Sequence, residues 1–486
     1  MFPIIDWNIL SLEVSITAIL VGLIVIDIAQ PKGNSSRLVP TLSFLALGAL
    51  ILFWLFNGAV FGTTFNGMFV SDSLSWDFKG FFLMAMNFIL TMTQQYFKTS
   101  GDRLDSFYYL LWLALLGACL LASSGDFLVL FIALEILTIS LYVMTAYLKS
   151  DKLSLEAGMK YLILGALSSA FFLFGISFIY GVTHSTRFEI IKGYVDFHGM
   201  DPMMLFASIL VLSAIGFKIA SVPFQQWVPD VYQGAPTPVT ALLSVVSKAA
   251  GFIMLIRLFF GVFNAWHIQW ETVLAVLSAI TMCYGNLGAM FQTNIKRLLG
   301  YSSIGHAGYL LMGAAAGSTL GASAINFYLL GYLFTNLAAF LVIVLFYNAA
   351  KSDDISDYAG LAKRSGSLAI ALLLALVSLA GIPPLAGFFG KFTLLMAAVK
   401  SNLIWLALIA AVNIVISTYY YLRVVKTIYV DQPRVTTPIA VSFPVQLVIG
   451  FAITGIVVIG ICQGPFLEIA MRSVNNMAFL ATYVSQ

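Results

Sequence analysis

The stretch GFKIASVPFQQWVPDVYQGAPTPV, residues 216–239, decides how this chain can fold, because it interrupts an apolar segment of membrane length with four prolines. A second stretch, SLAGIPPLAGFFGKFTLL at residues 378–395, combines proline and glycine in the same way. Proline removes a backbone donor and clashes with the preceding helical turn. In lipid, the freed carbonyl groups are tolerated only where protein or a water-filled cavity covers them. Both stretches therefore predict broken helices within a bundle of membrane-spanning helices.

The composition indicates that lipid is the solvent for most of this chain. Of the 486 residues, 60% are hydrophobic and 9% are charged, whereas soluble domains contain roughly 25% charged residues. The net charge of +3 is spread over the chain without a basic run, so no nucleic-acid partner is expected. The first apolar segment has no basic flank, and we expect a retained helix rather than a cleaved signal. The three cysteines are far apart in apolar segments, which predicts packing and no metal site or disulfide.

The lengths of the apolar segments predict an all-α integral membrane protein, since a helix needs about 20 residues to cross the hydrocarbon core. Fourteen spans are predicted, near residues 10–30, 39–61, 75–97, 105–123, 127–148, 153–182, 203–224, 238–262, 270–291, 295–316, 321–349, 367–400, 402–430 and 441–464. No loop between them is long enough for a soluble domain, and the longest is expected near residues 183–202. The sequence also lacks a Walker A motif and a dinucleotide-binding fingerprint.

The basic residues outside the apolar segments are distributed unevenly. The loops that follow even-numbered spans contain four basic residues, namely Lys79, Arg187, Lys192 and Lys400. Those after odd-numbered spans contain thirteen basic residues, namely Lys32, Arg37, Lys98, Arg103, Lys149, Lys152, Lys296, Arg297, Lys351, Lys363, Arg364, Lys426 and Arg434. Because cytoplasmic loops are enriched in Lys and Arg, the odd-numbered loops are predicted to face the cytoplasm. Both chain termini are then predicted to be periplasmic.

The two interrupted segments predict an internal repeat. They fall in the seventh and twelfth predicted spans, and an offset of five spans means that the two units run in opposite directions across the membrane. Paired breaks in corresponding positions are typical of inverted repeats with a site between them. The predicted divisions are helices 1–3 (1–104), a first five-helix repeat (105–262), a second (270–430), and the last helix with its tail (431–486). Loop-edge prolines in two unrelated helices are the alternative.

Several ionisable residues lie in surroundings that are otherwise apolar. Those that are hard to place outside the membrane are Glu135, Lys160, Lys218, Lys248 and Lys391. Each costs roughly 2.5–3.5 kcal/mol at the membrane centre on insertion scales, so a purely structural role for all five is unfavourable. For Glu135 and Lys218, the alternative is a structural ion pair between neighbouring helices. Lys160 lies near the start of its span, where it can extend to the interface or pair with Glu156.

These buried charges predict a proton path. A buried ammonium group is destabilised relative to the neutral amine, and a nearby carboxylate restores part of that stability, so neighbouring groups can exchange protons. His306, within KRLLGYSSIGHAGYLLMG, is a further candidate because imidazole changes charge near neutral pH, although a packing role is the alternative. Glu13 and Asp27 are expected at the membrane interface, and Arg257 is expected to extend its side chain towards water.

The chain resembles the N-type (subunit 2 type) antiporter-like subunits of bacterial complex I, the proton-pumping NADH:quinone oxidoreductase. The resemblance runs from about residue 70 to 430 and is most specific at PDVYQGAPTPV (229–239), QTNIKRLLGYSSIGHAGYLL (292–311), SLEAGMKYLILGA (154–166) and SLAGIPPLAGFFGKF (378–392). It implies fourteen helices with two inverted five-helix repeats, each with one broken helix. It also implies proton-transfer roles for Glu135, Lys160, Lys218, Lys248, His306 and Lys391. Lysine at position 391, and a chain that ends soon after the last span, favour the N type over its relatives.

The resemblance further implies a translocase subunit without a redox cofactor or metal of its own. FMN, iron–sulfur clusters and quinone are expected in other subunits of the complex. Other membrane and peripheral subunits, together with the lipid bilayer of the bacterial inner membrane, are the expected partners. Two alternatives stay open: a subunit of an Mrp-type cation/proton antiporter, and a subunit of a ferredoxin- or hydrogenase-linked relative of complex I. A passive spacer is disfavoured by the buried charges.

Overall fold

The computed structural model describes residues 5–29, 38–98, 104–199, 201–433, 435 and 437–478, and it is almost entirely helical. The helices are α1 (Ser11–Ala29), α2 (Leu38–Phe56), α3 (Ser73–Tyr96), α4 (Asp105–Ala122), α5 (Phe127–Thr145), α6 (Lys152–Thr183), α7 (Phe188–His198), α8 (Pro202–Ile219), α9 (Trp227–Gly234), α10 (Thr237–Leu242), α11 (Lys248–Leu255), α12 (His267–Met290), α13 (Ile295–Ala315), α14 (Thr319–Ala350), α15 (Leu361–Arg364), α16 (Gly366–Ala380), α17 (Ala386–Lys400), α18 (Ile404–Tyr429), α19 (Phe443–Ile461) and α20 (Gln463–Asn475). Strands β1 (Gly62–Thr64) and β2 (Phe69–Ser71) form an antiparallel hairpin. Short 3₁₀ segments lie at Phe65–Gly67, Asn264–Trp266 and Ile355–Tyr358.

The chain is a multi-pass membrane protein. Within the described ranges, eleven helices are long and apolar enough to cross a membrane. The other three predicted spans are also helical, as α3, α13 and the pair α16 and α17, but they do not meet the same criteria of length and hydropathy. The total of fourteen crossings, the orientation and the inverted relation between the two five-helix units therefore stay predictions.

Both predicted helix breaks are present. Helix α8 ends at Ile219, about five residues before the predicted end of its span, because Ala220 takes a left-handed conformation with φ 65°. Helix α16 ends in the same manner at Gly381, where φ is 87°, and α17 begins only at Ala386. In each case the left-handed residue donates its amide to carbonyls of the last turn, which satisfies part of the helix end.

The centre of the bundle is formed by three long helical segments. Residues 237–262 and helix α14 are buried along almost their whole length, and α13 is buried on nearly every face. Two stretches of π-helix, Leu243–Ser247 and Ile256–Val262, lie on either side of α11 in the first of these segments. By contrast, α1 and α2 expose most of their apolar side chains, as expected of helices that face lipid. The candidate residues on α11 and α13 are therefore placed in the protein interior.

Two amphipathic helices occupy regions for which no element was predicted. The region expected as the longest loop, 183–202, contains α7, which buries Phe188, Ile191 and Val195 on one face. The region after the last predicted span contains α20. Both helices are shorter than the roughly 20 residues that a membrane span needs, and both are more polar than a span. A search for helical periodicity in these shorter windows would have detected them.

Three charged residues lie deeper in the bundle than predicted. Lys79 was assigned to a loop and Glu13 to the interface, but both are buried, and their side chains form an ion pair of 2.7 Å between α3 and α1. Arg257 does not extend to water, because its guanidinium is buried against Asp72 and the carbonyl of Ala122. Of the basic residues used to predict orientation, four lie outside the described residues, namely Lys32, Arg37, Arg103 and Arg434.

Candidate functional site

Four of the six predicted site residues lie in the interior. Lys218, Lys248, His306 and Lys391 are each no more than 3% exposed, and we call these four residues the buried row. Glu135 is half-buried and Lys160 is partly exposed. Three of the predicted lysines are therefore buried and Glu135 is partly so, whereas Lys160 forms the ion pair with Glu156 that was the alternative for it.

Lys218 lies in the last turn of α8, directly before the first break. Its ammonium group is buried and has no hydrogen-bond partner among the residues that the structure describes. Its side chain packs against the helix that carries Lys248, since a Cβ atom added at Gly251 would lie 3.3 Å from Lys218 Cγ.

Glu135 does not form the direct ion pair with Lys218 that was considered for these two residues. Its carboxylate accepts a hydrogen bond of 2.5 Å from Ser169 Oγ on α6. It lines a cavity of about 1440 Å³ that lies between α5 and α6 and also includes Tyr142. The two charges still interact electrostatically without contact. Glu135 therefore lies at a cavity wall and has a hydrogen-bond partner other than the lysine.

Lys248 is the first residue after the π-helical stretch Leu243–Ser247. Such stretches often occur at functional positions, because the wider turn leaves backbone groups and side chains in unusual directions. The Lys248 ammonium donates to both the carbonyl oxygen and the hydroxyl of Ser303 on α13. The Tyr232 hydroxyl on α9 lies 3.0 Å from the same Ser303 hydroxyl. One serine thus joins the lysine to the second half of the broken helix.

Helix α13 presents a polar face to the centre of the bundle. Ser302, Ser303, His306 and Tyr309 follow one another at helical spacing, so their side chains lie along one side of the helix. The His306 ring contacts two tyrosine hydroxyls, Tyr328 through Nδ1 and Tyr421 through Nε2 at 3.1 Å. Tyr421 also bonds the Ser302 hydroxyl. Because imidazole and hydroxyl groups can each donate and accept, this face can pass a proton between neighbouring groups.

Lys391 lies on α17, with its side chain folded back over the second break. Its ammonium group donates to the carbonyls of Leu379 at 2.8 Å and Ala380 at 3.0 Å, and it lies 4.9 Å from the centre of the Tyr309 ring. These carbonyls belong to the last turn of α16 and have lost their helical partners, so they attract a cation. The side chain fits because Gly381 has no Cβ, which would lie 2.9 Å from Lys391 Cδ.

Lys160 lies apart from the buried row. Its side chain is 42% exposed and forms ion pairs with Glu156 at 2.7 Å and with Asp230 at 2.5 Å. Asp230 in turn pairs with Arg297 at 2.6 Å. Lys160 can be exposed and form these ion pairs because it lies near the start of α6, where its long side chain extends to the end of the bundle.

The residues that surround the buried row were not predicted individually. Ser303, Tyr232, Tyr328 and Tyr421 come from four different helical segments, and no local pattern connects them. The polar spacing on α13 was a usable signal, because hydroxyl, imidazole and phenol groups recur there at intervals of three or four residues. Within the described part of the chain, no cluster of three or more His, Cys, Asp or Glu could hold a metal ion.

Comparison with known proteins adds to this geometry. Residues 124–417 match the family described as "NADH:quinone oxidoreductase/Mrp antiporter, TM". The chain is 40% identical to NADH-quinone oxidoreductase subunit N of Moorella thermoacetica, over 96% of this chain and 98% of the relative. It is 41% identical to NAD(P)H-quinone oxidoreductase subunit 2 of Picosynechococcus sp., over 86% of this chain and 82% of the relative.

Solved structures show the same fold. A chain of respiratory complex I from Thermus thermophilus with bound aureothin has 31% identity and a TM-score of 0.81, over 95% of this chain and 99% of that chain. A chain of the Mrp complex from Dietzia sp. has 21% identity and a TM-score of 0.86, over 96% of each chain. At the lower identity, the similarity concerns the fold alone.

Proposed function

The chain belongs to the NADH:quinone oxidoreductase/Mrp antiporter family, and we propose that it is a proton-translocating membrane subunit of complex I. In this role it couples electron transfer from NADH to quinone, which takes place in other subunits, to proton movement across the membrane. The observation that carries the proposal is the polar face of α13. At one end its Ser303 accepts from the Lys248 ammonium, and at the other the Lys391 ammonium lies 4.9 Å from the centre of its Tyr309 ring. A polar face of this kind inside an apolar bundle costs stability, which favours a functional role such as the transfer of protons or ions.

The proposed proton transfer uses groups whose donor and acceptor roles can reverse. Lys248 exchanges a proton with the Ser303 hydroxyl. On the preceding residue of α13, the Ser302 hydroxyl contacts Tyr421, which contacts His306. Lys218 changes the free energy of protonating Lys248 through its charge, because its side chain packs against α11, which carries Lys248, and its ammonium group has no hydrogen-bond partner among the described residues.

The remaining predicted site residues have separate roles in the proposal. Glu135 acts on Lys218 through space from the wall of its cavity, and its own proton is exchanged through that cavity. Lys160 acts at the surface end of the protein and not within the buried row, because two carboxylates already neutralise its charge. Lys391 exchanges protons at the other end of the buried row, with the far side or with a neighbouring subunit.

The proposal also covers location and cofactors. We place the chain in the bacterial inner membrane with both termini periplasmic, as the basic loops predict. We propose that the chain carries no redox centre and that FMN, the iron–sulfur clusters and the quinone site belong to other subunits. The partners are then the other membrane and peripheral subunits of the complex, with lipid around the exposed helices.

The test uses the intact complex, with proton pumping and quinone reduction measured in the same vesicles. Lys218→Ala and Lys391→Ala are expected to lower the number of protons pumped per quinone reduced at least about tenfold, since each removes a proton-accepting group of the buried row. Lys400→Ala is the matched control, because Lys400 lies on the same helix as Lys391 but is exposed. Unchanged pumping in both interior variants would refute the proposal.

A subunit of an Mrp-type antiporter is the second candidate, because the family that matches residues 124–417 includes Mrp antiporters in its description. The two functions differ in their partners, because an antiporter needs no subunits that oxidise NADH. Purification of the native complex followed by identification of its subunits by mass spectrometry decides between them. A complex without flavin- and iron–sulfur-binding subunits would support the antiporter, and a donor-binding subunit for ferredoxin or hydrogen would support the linked relatives.

A further inference from the structure

Asp230 lies at the centre of a group of ion pairs at one end of the bundle. Its Oδ2 accepts from Lys160 Nζ at 2.5 Å, and its Oδ1 accepts from Arg297 Nη1 at 2.6 Å. The same Arg297 nitrogen also donates to Gln233 Oε1 at 3.1 Å. Asp230 therefore connects α9 to α6 on one side and to α13 on the other.

Helix α9 needs such connections to keep its position. It has only eight residues, and a helix of that length is not stable without tertiary contacts. The chain on its N-terminal side is the break between Ile219 and Trp227, which provides no continuous helix to hold it. On its C-terminal side, Lys296 donates to the carbonyl of Ala235 at 3.0 Å. Two consecutive basic residues of α13 thus hold the second half of the broken helix.

The position of α9 determines the surroundings of Lys248. Tyr232, two residues after Asp230, is buried, and its hydroxyl lies 3.0 Å from Ser303 Oγ, the group that accepts from the Lys248 ammonium. The fit between α9 and α13 is close here, because a Cβ added at Gly300 would lie 3.3 Å from Tyr232 Cβ. A shift of α9 by a fraction of an ångström therefore changes the hydrogen bond between the tyrosine and the serine.

This hydrogen bond determines whether the hydroxyl proton and lone pairs of Ser303 remain available for other hydrogen bonds. A serine hydroxyl has one proton and two lone pairs. When Ser303 accepts from Lys248 and also from Tyr232, both lone pairs are occupied, and its own proton must point to a third group. When it donates to Tyr232 instead, one lone pair stays open. Tyr232 thus sets the direction in which Ser303 can pass a proton.

We infer that Asp230, held by Lys160 and Arg297, is a positioning residue that acts through Tyr232 on the proton exchange of Lys248. The inference rests on the proposed function, since it concerns the efficiency of that proton transfer. In this inference Lys160 helps to hold Asp230 in place, a role that a partly exposed side chain can have. Asp230 itself exchanges no proton with the buried row, and no contact joins its carboxylate to Ser303 or Lys248 in the described structure.

The experiment combines four variants of the intact complex with two readouts. The variants are Asp230→Asn, the conservative Asp230→Glu, Tyr232→Phe, and the double variant Asp230→Asn with Tyr232→Phe. The control is Asp196→Asn, which removes a surface ion pair with Lys192 of 2.9 Å on α7, away from α9. The readouts are protons pumped per quinone reduced and the hydrogen–deuterium exchange of amides 227–234, which does not depend on pumping.

Asp230→Asn is expected to raise amide exchange in α9 roughly tenfold, because hydrogen bonds to charged groups shift local equilibria by about this factor. It is also expected to lower the pumping ratio severalfold, with recovery in Asp230→Glu and no change in Asp196→Asn. In the Tyr232→Phe background, Asp230→Asn should lower pumping no further, since the route through which it acts is already lost.

Two results would overturn the inference. One is faster exchange in α9 with unchanged pumping, which would make the ion pairs purely structural. The other is an additive loss in the double variant, which would mean that Asp230 acts by another route. Failure of the proposed function is distinguishable, because it would appear as unchanged pumping in Lys218→Ala and Lys391→Ala, whatever α9 does.

Discussion

Replacing Arg257 by leucine should destabilise the protein strongly, although Arg257 lies outside the buried row. The side chain is 1% exposed and lies in the π-helical stretch Ile256–Val262. Its guanidinium donates to both carboxylate oxygens of Asp72, at 3.0 and 2.8 Å, and to the carbonyl of Ala122 at 2.8 Å. It thereby joins the start of α3, the end of α4 and the central helical segment.

The magnitude follows from what leucine leaves behind. Burial acts to raise the pKa of Asp72, but the charge and hydrogen bonds of Arg257 outweigh it and hold that pKa below its usual range. Without the arginine, the carboxylate keeps the amide donors of Ser75 at 2.8 Å and Ala478 at 2.9 Å. Removing one partner of a buried pair costs about 3–5 kcal/mol, because the remaining charge is buried without compensation.

The assay is equilibrium unfolding of the purified protein in mixed micelles, followed by circular dichroism. The control is Arg472→Leu, because Arg472 is exposed and its ion pair with Glu468 is long, at 3.9 Å. Its loss should change the free energy of unfolding by less than about 0.5 kcal/mol. Adding Asp72→Asn to Arg257→Leu should recover part of the loss, since the buried charge is then removed. A cost below about 1 kcal/mol for Arg257→Leu would refute the reasoning, as would a double variant as unstable as the sum of the single ones.

Two further substitutions test the contacts of the buried row. Ser303→Ala removes the hydroxyl that Lys248 bonds but keeps the carbonyl, so pumping per quinone reduced should fall severalfold while the unfolding free energy changes by less than about 1.5 kcal/mol; full pumping would contradict a relay through this hydroxyl. Gly251→Ala places a methyl group 2.6 Å from Ile219 Cγ2 and 3.3 Å from Lys218 Cγ, so it should displace the end of α8, lower pumping and cost about 1–3 kcal/mol. Gly450→Ala, with no atom within 4 Å of the added Cβ, is its control, and equal effects of the two would contradict the packing argument.

The sequence was sufficient to predict features that depend on a single segment. Prolines within apolar stretches predicted both breaks, because the cost of an unpaired carbonyl in lipid is local. A lysine with long apolar flanks, such as Lys248, was predicted to be buried for the same reason. Residues near the apparent edges of spans were misplaced, as with Lys79 and Arg257, because span edges read from hydropathy are uncertain by several residues.

The partners of the buried groups could not be predicted, since they are distant in the chain. Arg257 and Asp72 are 185 residues apart, and Tyr232 and Ser303 are 71 residues apart. Nothing in a local pattern states which helices meet. The absence of a direct contact between Glu135 and Lys218 has a similar origin, because the orientation of α5 depends on how it packs against α6 and on the cavity between them.

The ligands of the buried lysines imply that the two ends of the buried row exchange protons differently. Lys248 donates to a hydroxyl, which can reverse its role and return a proton to the neutral amine. Lys391 donates to two backbone carbonyls, which can only accept, so a neutral amine at that position finds no donor among the described residues that bond its nitrogen. For Lys391 to gain or lose a proton, its side chain must first leave the carbonyls of the break. Proton exchange at Lys248 is therefore compatible with a fixed backbone, whereas exchange at Lys391 requires a movement of the side chain or of the break itself, and this is where a conformational change can control the proposed pump.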